Sequence, residues 1–526
     1  MQKYISVPAW AGALAGLTAG GVALGLAQLV AGLFGPQTSP VIAVGDGVVD
    51  LTPAPVKDFA ITTFGENDKT VLVWGVLVLL AVVAAVIGVL ARRRLAYGMA
   101  GLAAFAVVGL VAVVTRPGAS VVDILPTLAG AVAGMWTLAW LLRRATVPAV
   151  SEAPSGEAER PAVMRGSGEP STFDRRRLLT GVAGGVVVAG VGAVAGSRLA
   201  GSRAVDIARV NVALPAPATP AKPIPAGADL RIGGLSSFVT PNRDFYRVDT
   251  ALVVPQVDPE SWKLRIHGMV DRPVEITYAD LLRMPLTEAD VTLTCVSNEV
   301  GGRLVGNARW LGVRMSEILR RAGLHADADM LLSTSADGFT CGTPVDVVMD
   351  GREALFAIAM NGEPLPVEHG FPVRQVVPGL YGYVSATKWV VDVKVTRFDR
   401  DEAYWTPRGW AAKGPIKTQS RIDVPGSGAS LKPGRTTIAG VAWAQHKGVA
   451  AVEVRVDGGA WREAKLADVP GPDTWRQWSL DWDATPGSHT LQVRATDTTG
   501  YTQTEQEAPP APDGATGWHT ITVSVA

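Results

Sequence analysis

Cysteine is nearly missing from this chain: there are two, Cys295 and Cys341, in 526 residues. Two thiols cannot build a disulfide scaffold, a four-cysteine zinc site or a cysteine-ligated iron–sulfur cluster. No Cys-x-x-Cys-His occurs either, which excludes a covalently attached c-type haem. Histidine is scarce, six in all with the first at His267, so the apolar N-terminal region holds none to ligate a haem b between helices. Net charge is zero, and no basic run is interleaved with aromatics, which removes the argument for a nucleic-acid partner.

What the chain has in quantity is apolar length. Five stretches, 7–34, 71–91, 95–115, 124–142 and 178–196, are each long enough to cross a bilayer core of roughly 30 Å as a helix. No run of acids or bases inside them marks a proton or ion path, so anchoring and partner docking are the expected roles. Arg92-Arg93-Arg94, Arg143-Arg144, Arg160, Arg165 and Arg175-Arg176-Arg177 fall on one side of the lipid bilayer. The loop 35–70 falls on the other side, with Asp46, Asp50, Asp58, Glu66 and Asp68. The positive-inside rule then gives a multi-pass cell-membrane protein, its N-terminus inside and everything beyond residue 197 extracytoplasmic. Asp174-Arg175-Arg176-Arg177-Leu178-Leu179 reads equally as an internal twin-arginine signal, which exports folded cargo, or as a topological stop. Thr180 stands where that signal usually carries lysine.

Residues 198–228 read as a Pro-rich linker. Pro215, Pro217, Pro220, Pro223 and Pro225 predict an extended spacer lifting a domain off the membrane surface. Over 229–402, short helices are mixed among many strands. The run 262–268 alternates as a strand, Thr277 caps a helix over 278–283, and Gly323 closes another over 316–322. Asn361-Gly362 between apolar runs predicts a hairpin turn. The pattern is α+β. Over 403–526 the alternation changes to strands with turns every ten residues or so, the signature of a β-sandwich.

The segment between the membrane region and the sandwich carries the chemistry. Val291-Thr292-Leu293-Thr294-Cys295-Val296-Ser297-Asn298 is a strand that delivers a cysteine and then turns. Read alone, Cys295 is a buried strand cysteine, half of a disulfide with Cys341, or a metal ligand. Downstream come Trp310-Leu311-Gly312-Val313, Met360-Asn361-Gly362-Glu363-Pro364-Leu365-Pro366, His369-Gly370-Phe371-Pro372-Val373-Arg374, and Ser385 with Lys388-Trp389. Together and in this order they resemble the sulfite oxidase family of molybdopterin enzymes. The resemblance covers about Leu230 to the end of the chain. The sandwich resembles the family's immunoglobulin-like dimerisation domain at Gly440-Val441-Ala442-Trp443 and Arg494-Ala495-Thr496-Asp497, which implies a homodimer.

That resemblance implies a molybdenum–molybdopterin cofactor with Cys295 as the metal's protein thiolate, a soft ligand for a sulfur-rich site. It implies Arg374 and Lys388 toward the pterin phosphate, with Asn242, Tyr246, His369 and Ser385 completing the cofactor's hydrogen bonds. Arg247 falls where the family places an arginine facing a small-molecule oxyanion such as sulfite. The chain departs from the family after Asn298, where Glu299 and Val300 replace an arginine. Arg303 or Arg309 could compensate. A neutral sulfoxide or N-oxide, reduced on the same fold, therefore stays open as substrate, and so does a membrane-tethered binding module without catalysis. Oxidation by oxo transfer would leave two electrons that these residues cannot store. A separate carrier, a cytochrome or a membrane redox protein, is expected.

Overall fold

The computed structural model describes residues 7–35, 38–52, 56, 68–116, 120–148, 171–199 and 202–526. It separates into two units, Met1–Ala204 with Ala251–Gln256, and Val205–Thr250 with Val257–Ala526.

The first unit is helical: α1 (Ala9–Phe34), α2 (Pro40–Leu51), α3 (Asp68–Ala91), α4 (Leu95–Val114), α5 (Leu125–Arg144) and α6 (Arg175–Leu199). All but α2 are long and apolar enough to cross a membrane. Helix α1 packs against α3, α5 and α6 through glycine and alanine. A Cβ at Gly16 would lie 2.0 Å from the Ala84 carbonyl oxygen, and one at Gly25 would lie 2.4 Å from that of Ala189. Backbones this close are how helices associate where no water drives apolar surfaces together. A short antiparallel pair, β1 (Thr146–Pro148) and β2 (Ser171–Phe173), flanks α5 and α6. The expected plain loop over 35–70 is corrected by α2, which carries Asp46 and Asp50. Asp46 neutralises Arg116 at 2.7 Å, so an arginine on that acidic side is paired. Asp58, Glu66, Arg160 and Arg165 lie outside the described residues.

After α7 (Ser202–Val210), the second unit opens with an extended segment and the strands β3 (Lys263–Gly268) and β4 (Val274–Thr277). Thr277 caps α8 (Tyr278–Arg283) by accepting the Asp280 N–H, while the Asp280 carboxylate accepts the Thr277 N–H. Then follow β5 (Thr287–Thr294), β6 (Val305–Arg314), α9 (Met315–Ala322), β7 (Met330–Ser335), β8 (Thr340–Pro344), α10 (Val345–Met349), β9 (Leu355–Met360), β10 (Glu363–Pro364), β11 (Arg374–Val376) and β12 (Val390–Thr396). One sheet runs β10-β9-β6-β5 with β11 on β9; the other runs β4-β3-β12-β7-β8. Leu264, Ile266, Ile318, Phe356, Ile358 and Val393 are among the side chains of their shared core. Asn361 and Gly362, both at positive φ, make the β9–β10 turn.

The sandwich comprises β13 (Gln419–Val424), β14 (Ser430–Leu431), β15 (Gly434–Trp443), β16 (Val449–Val456), β17 (Arg462–Glu463), β18 (Lys465–Leu466), β19 (Arg476–Ala484), β20 (Gly487–Asp497) and β21 (His519–Val525). Its sheets, β13-β15-β19-β18 and β14-β21-β20-β16-β17, close on alternating inward residues such as Val452, Val454, Leu491 and Val493.

The spacer expected over 198–228 is a correction. Thr219 forms a parallel bridge with Thr287, donating to the Leu286 carbonyl at 3.1 Å and accepting from the Glu288 N–H at 2.9 Å. The Ala221 N–H reaches the Glu288 carboxylate, and Val212 and Leu214 pack on the α+β core. Proline lacks an N–H, so this strap bonds only through the residues between its prolines. Its apolar side chains still find a core, which a free spacer would leave wet.

Candidate active site

The site begins where β5 ends. Cys295 donates its N–H to the Leu304 carbonyl, and Asn298 staples the loop by accepting the Leu304 N–H at 2.7 Å. Burial pushes the Cys295 thiol up, against the lowering influence of the Ser297 N–H and hydroxyl. A buried sulfur of this kind keeps its proton unless a cation takes the proton's place. Both cysteines are free thiols, which corrects the disulfide alternative. Cys341 lies on β8 with Thr343 beside it, its thiol pushed up by burial to about 11.

Arg374, at the start of β11, is 5% exposed. Its Nε, Nη1 and Nη2 donate to the carbonyls of Gln375, His369 and Ala386, and the guanidinium lies 5.0 Å above the Trp310 ring. Among the described residues no carboxylate pairs with it. Burial pushes it down to about 10. Its charge is felt at Tyr246, His369 and Lys388, and that of Cys295 at Tyr246, so these groups share one pocket.

His369 sits on the turn 367–369 with its Nε2 3.0 Å from the Asn242 carbonyl, so Nε2 carries the proton and Nδ1 is left as acceptor. Burial, then the nearby Arg374, pushes it down to about 4, so the ring is neutral. Lys388 donates to Asp249 at 2.9 Å and to the Glu368 carbonyl at 3.1 Å. Burial pushes it down to about 8, although Asp249 opposes that. Arg247 also pairs with Asp249, at 2.8 Å, with its side chain 41% exposed. Arg247 and Lys388 thus share one carboxylate, Asp249, while Arg374 is held by carbonyls alone among the described residues.

Other expected residues sit differently. The Asn242 carboxamide is engaged by protein: its Nδ2 donates to Glu363 at 2.6 Å and to the Met360 carbonyl, and its Oδ1 accepts from Asn361. Asn242 thus fixes the β9–β10 turn and, through its carbonyl, His369. The Ser385 hydroxyl donates to the Leu380 and Tyr381 carbonyls and shapes its own loop. Tyr246 is half-buried, its phenol pushed up by burial and by Cys295. Arg309 is no compensating cation, because it pairs bidentately with Asp290 at 2.8 Å across β5–β6. Arg303 is exposed, as is Glu299. Sequence reasoning missed Asp249, which organises two cations, and Trp310 as the shelf under the guanidinium. Nothing in the spacing of Asp249 marks it.

The fit to a molybdopterin is chemical. Among the described residues the buried Arg374 guanidinium has no anionic partner and the buried Cys295 thiol no cationic one, and an anionic, metal-bearing group would satisfy both. The comparisons agree. A profile described as "Oxidoreductase molybdopterin binding domain" matches residues 251–405, and one described as "Bacterial Ig domain" matches 419–493. Mitochondrial sulfite oxidase of Mus musculus is 32% identical over 293 residues, 46% of this chain and 53% of that protein. The uncharacterized oxidoreductase YuiH of Bacillus subtilis is 33% identical over 157 residues, 30% of this chain and 76% of that protein. Nitrate reductase [NADH] 1 of Oryza sativa subsp. japonica is 27% identical over 334 residues, 51% of this chain and 36% of that protein. The chain spans about half the length of the mammalian sulfite oxidases it matches. By the matched domain and these relatives, the chain belongs to the sulfite oxidase family of molybdopterin-dependent oxidoreductases, with molybdenum–molybdopterin as its cofactor.

Proposed function

We propose that this protein is a membrane-anchored, extracytoplasmic oxidoreductase that oxidises sulfite or a related small sulfur oxyanion. The observation that carries this reading is Arg374, a buried cation with no carboxylate partner among the described residues, in the same pocket as the Cys295 thiol. When bound, the cofactor supplies two-electron oxo transfer. Cys295 would be the metal's one protein ligand. Arg374, held over Trp310 by three carbonyls, would offer its remaining N–H groups to the phosphate. His369 would offer Nδ1 as an acceptor to a ring N–H, its tautomer set by Asn242. Lys388, held by Asp249 and the Glu368 carbonyl, would add positive charge toward the same phosphate. Arg247, exposed and steadied by Asp249, would meet the incoming oxyanion.

The helical unit is the anchor in this reading, with its arginine-rich loops cytoplasmic. Electrons would leave to a separate cytochrome or membrane redox protein. A second reading, reduction of a sulfoxide or N-oxide, is favoured by Glu299, whose charge would repel an anion near the Cys295 loop.

Protein from a cofactor-competent host should contain stoichiometric molybdenum and oxidise sulfite with ferricyanide. Activity only in the reverse sense, with a reduced viologen dye and a sulfoxide, would establish the second reading. Metal-free protein from such a host would leave a binding module. Turnover with quinone by the pure chain would remove the separate carrier.

A further inference from the structure

Strand β5 lies at the edge of its sheet: β6 pairs it along its length, and on the other side only its first residue, Thr287, is bridged, by Thr219. An edge strand has free N–H and C=O groups, and its end is the least constrained place to hold a ligand to within a fraction of an ångström. Here the sandwich occupies that free edge. The Thr292 N–H donates to the Asp473 carbonyl at 2.9 Å, and the Thr292 hydroxyl oxygen accepts the Trp475 N–H at 2.7 Å. Gln445 Nε2 bridges the Thr292 carbonyl at 3.1 Å and the Thr294 hydroxyl at 2.9 Å. Thr292, Thr294, Gln445 and Trp475 are all buried.

The far side of the cysteine is held as well. Val296 packs in a core shared with Val441, Trp443 and Trp475 of the sandwich. Arg421, in a buried ion pair with Asp423, donates through Nη1 to the Gly302 carbonyl at 2.7 Å. Gly301, at φ +77°, lies under the His519 ring so closely that a Cβ there would be 2.2 Å from its Cδ2.

We infer that the sandwich positions the metal-binding cysteine, with Gln445 holding the strand before Cys295 and Arg421 the loop after it. The inference rests on Cys295 being the ligand. Both are positioning residues: neither is placed against cofactor or substrate. A domain supplying only stability would need a packed interface. It would not need directed hydrogen bonds on both flanks of one residue.

The test uses Gln445→Met and Arg421→Lys, with Val493→Ala, a sandwich-core change remote from the cysteine, as control. In the loaded protein, both positioning variants should shift the metal's electron paramagnetic resonance signal and lower kcat with KM little changed. The control should lower Tm without moving the signal. In cofactor-free protein, maleimide should modify Cys295 about thirtyfold faster in Gln445→Met, the loss of two directed hydrogen bonds, with the Cys341 rate unchanged as internal reference. Signals and Cys295 rates equal to wild type in both folded variants would overturn the inference. If Cys295→Ser itself leaves the metal's spectrum untouched, the ligand assignment fails and takes the inference with it. If Cys295→Ser changes the spectrum and the two variants do not, only the inference fails.

Discussion

Replacing Arg374 by methionine separates its two roles, since the guanidinium is costly without cofactor and needed with it. Holding it down to about 10 from its ordinary 12.5 corresponds to roughly 3 kcal/mol of unfavourable burial. The sign is that of a base with a depressed pKa: the penalty is fully present below pH 10 and fades only as pH rises toward 12.5. Against it, Arg374→Met strips a charged donor from the carbonyls of His369, Gln375 and Ala386, which at 3.1–3.4 Å contribute about 1.5 kcal/mol each, the low end for a charged group. The two contributions largely cancel. Cofactor-free Arg374→Met should therefore unfold within about 1–2 kcal/mol of wild type, although a fully buried side chain has been changed. Cofactor retention should collapse. Two charge-assisted hydrogen bonds to an anion, at about 1.5–3 kcal/mol each, amount to roughly a hundredfold to ten-thousandfold in affinity. Urea unfolding of the cofactor-free pair, with molybdenum content after dialysis, measures both sides. A cofactor-free variant destabilised by 4 kcal/mol or more, still loading molybdenum normally, would refute the reasoning.

Lys388, pushed down to about 8 from 10.5, should make cofactor-free wild type gain stability as pH rises between those values, because there the unfolded chain binds more protons. Lys388→Met should flatten that slope in Tm against pH, and parallel curves would exclude Lys388 as its source. Gly16→Ala should destabilise the helical unit by about 1–3 kcal/mol in detergent, since its Cβ would meet the Ala84 carbonyl. Gly75→Ala, with nothing within 4 Å, should not, and equal losses would deny the close approach of α1 and α3. Reporter fusions after Arg144 and after Arg203 should report opposite sides of the membrane; the same side for both would remove the span between them.

The parts legible from sequence are those in which one segment carries its own meaning. The apolar runs, the Asn361-Gly362 turn and the alternation of the sandwich strands depend on periods of a few residues. Cys295 and the His369-to-Arg374 block were legible as a motif. What was not legible joins residues far apart. Asp249 meets Lys388 across 139 positions and Gln445 meets Thr292 across 153, and no local pattern encodes either pairing. Arg309 shows the converse. Its chemistry suited an oxyanion, but β-sheet register set it opposite Asp290, and the ion pair claimed it. The proline-rich strap was misread because composition reports stiffness, not what a stiff segment lies against.

That strap bears on how the protein can be cut. It touches the cysteine strand at Thr219 and continues to the sandwich, where the Gly227 carbonyl accepts the Asp468 N–H and the Leu230 N–H reaches Gln477. A truncation starting at Leu230, where the composition turns ordinary, would expose the backbone of Leu286 and Glu288 as an open template for another chain. Starting near Val205 keeps the seam shut. A protease that nicks between Val212 and Ala226 would leave the cysteine strand paired with β6 and still loosen the cover on its first residues, Thr287 and Glu288. For this molecule, a stretch that looks dispensable covers a strand edge that would otherwise be open to a second chain.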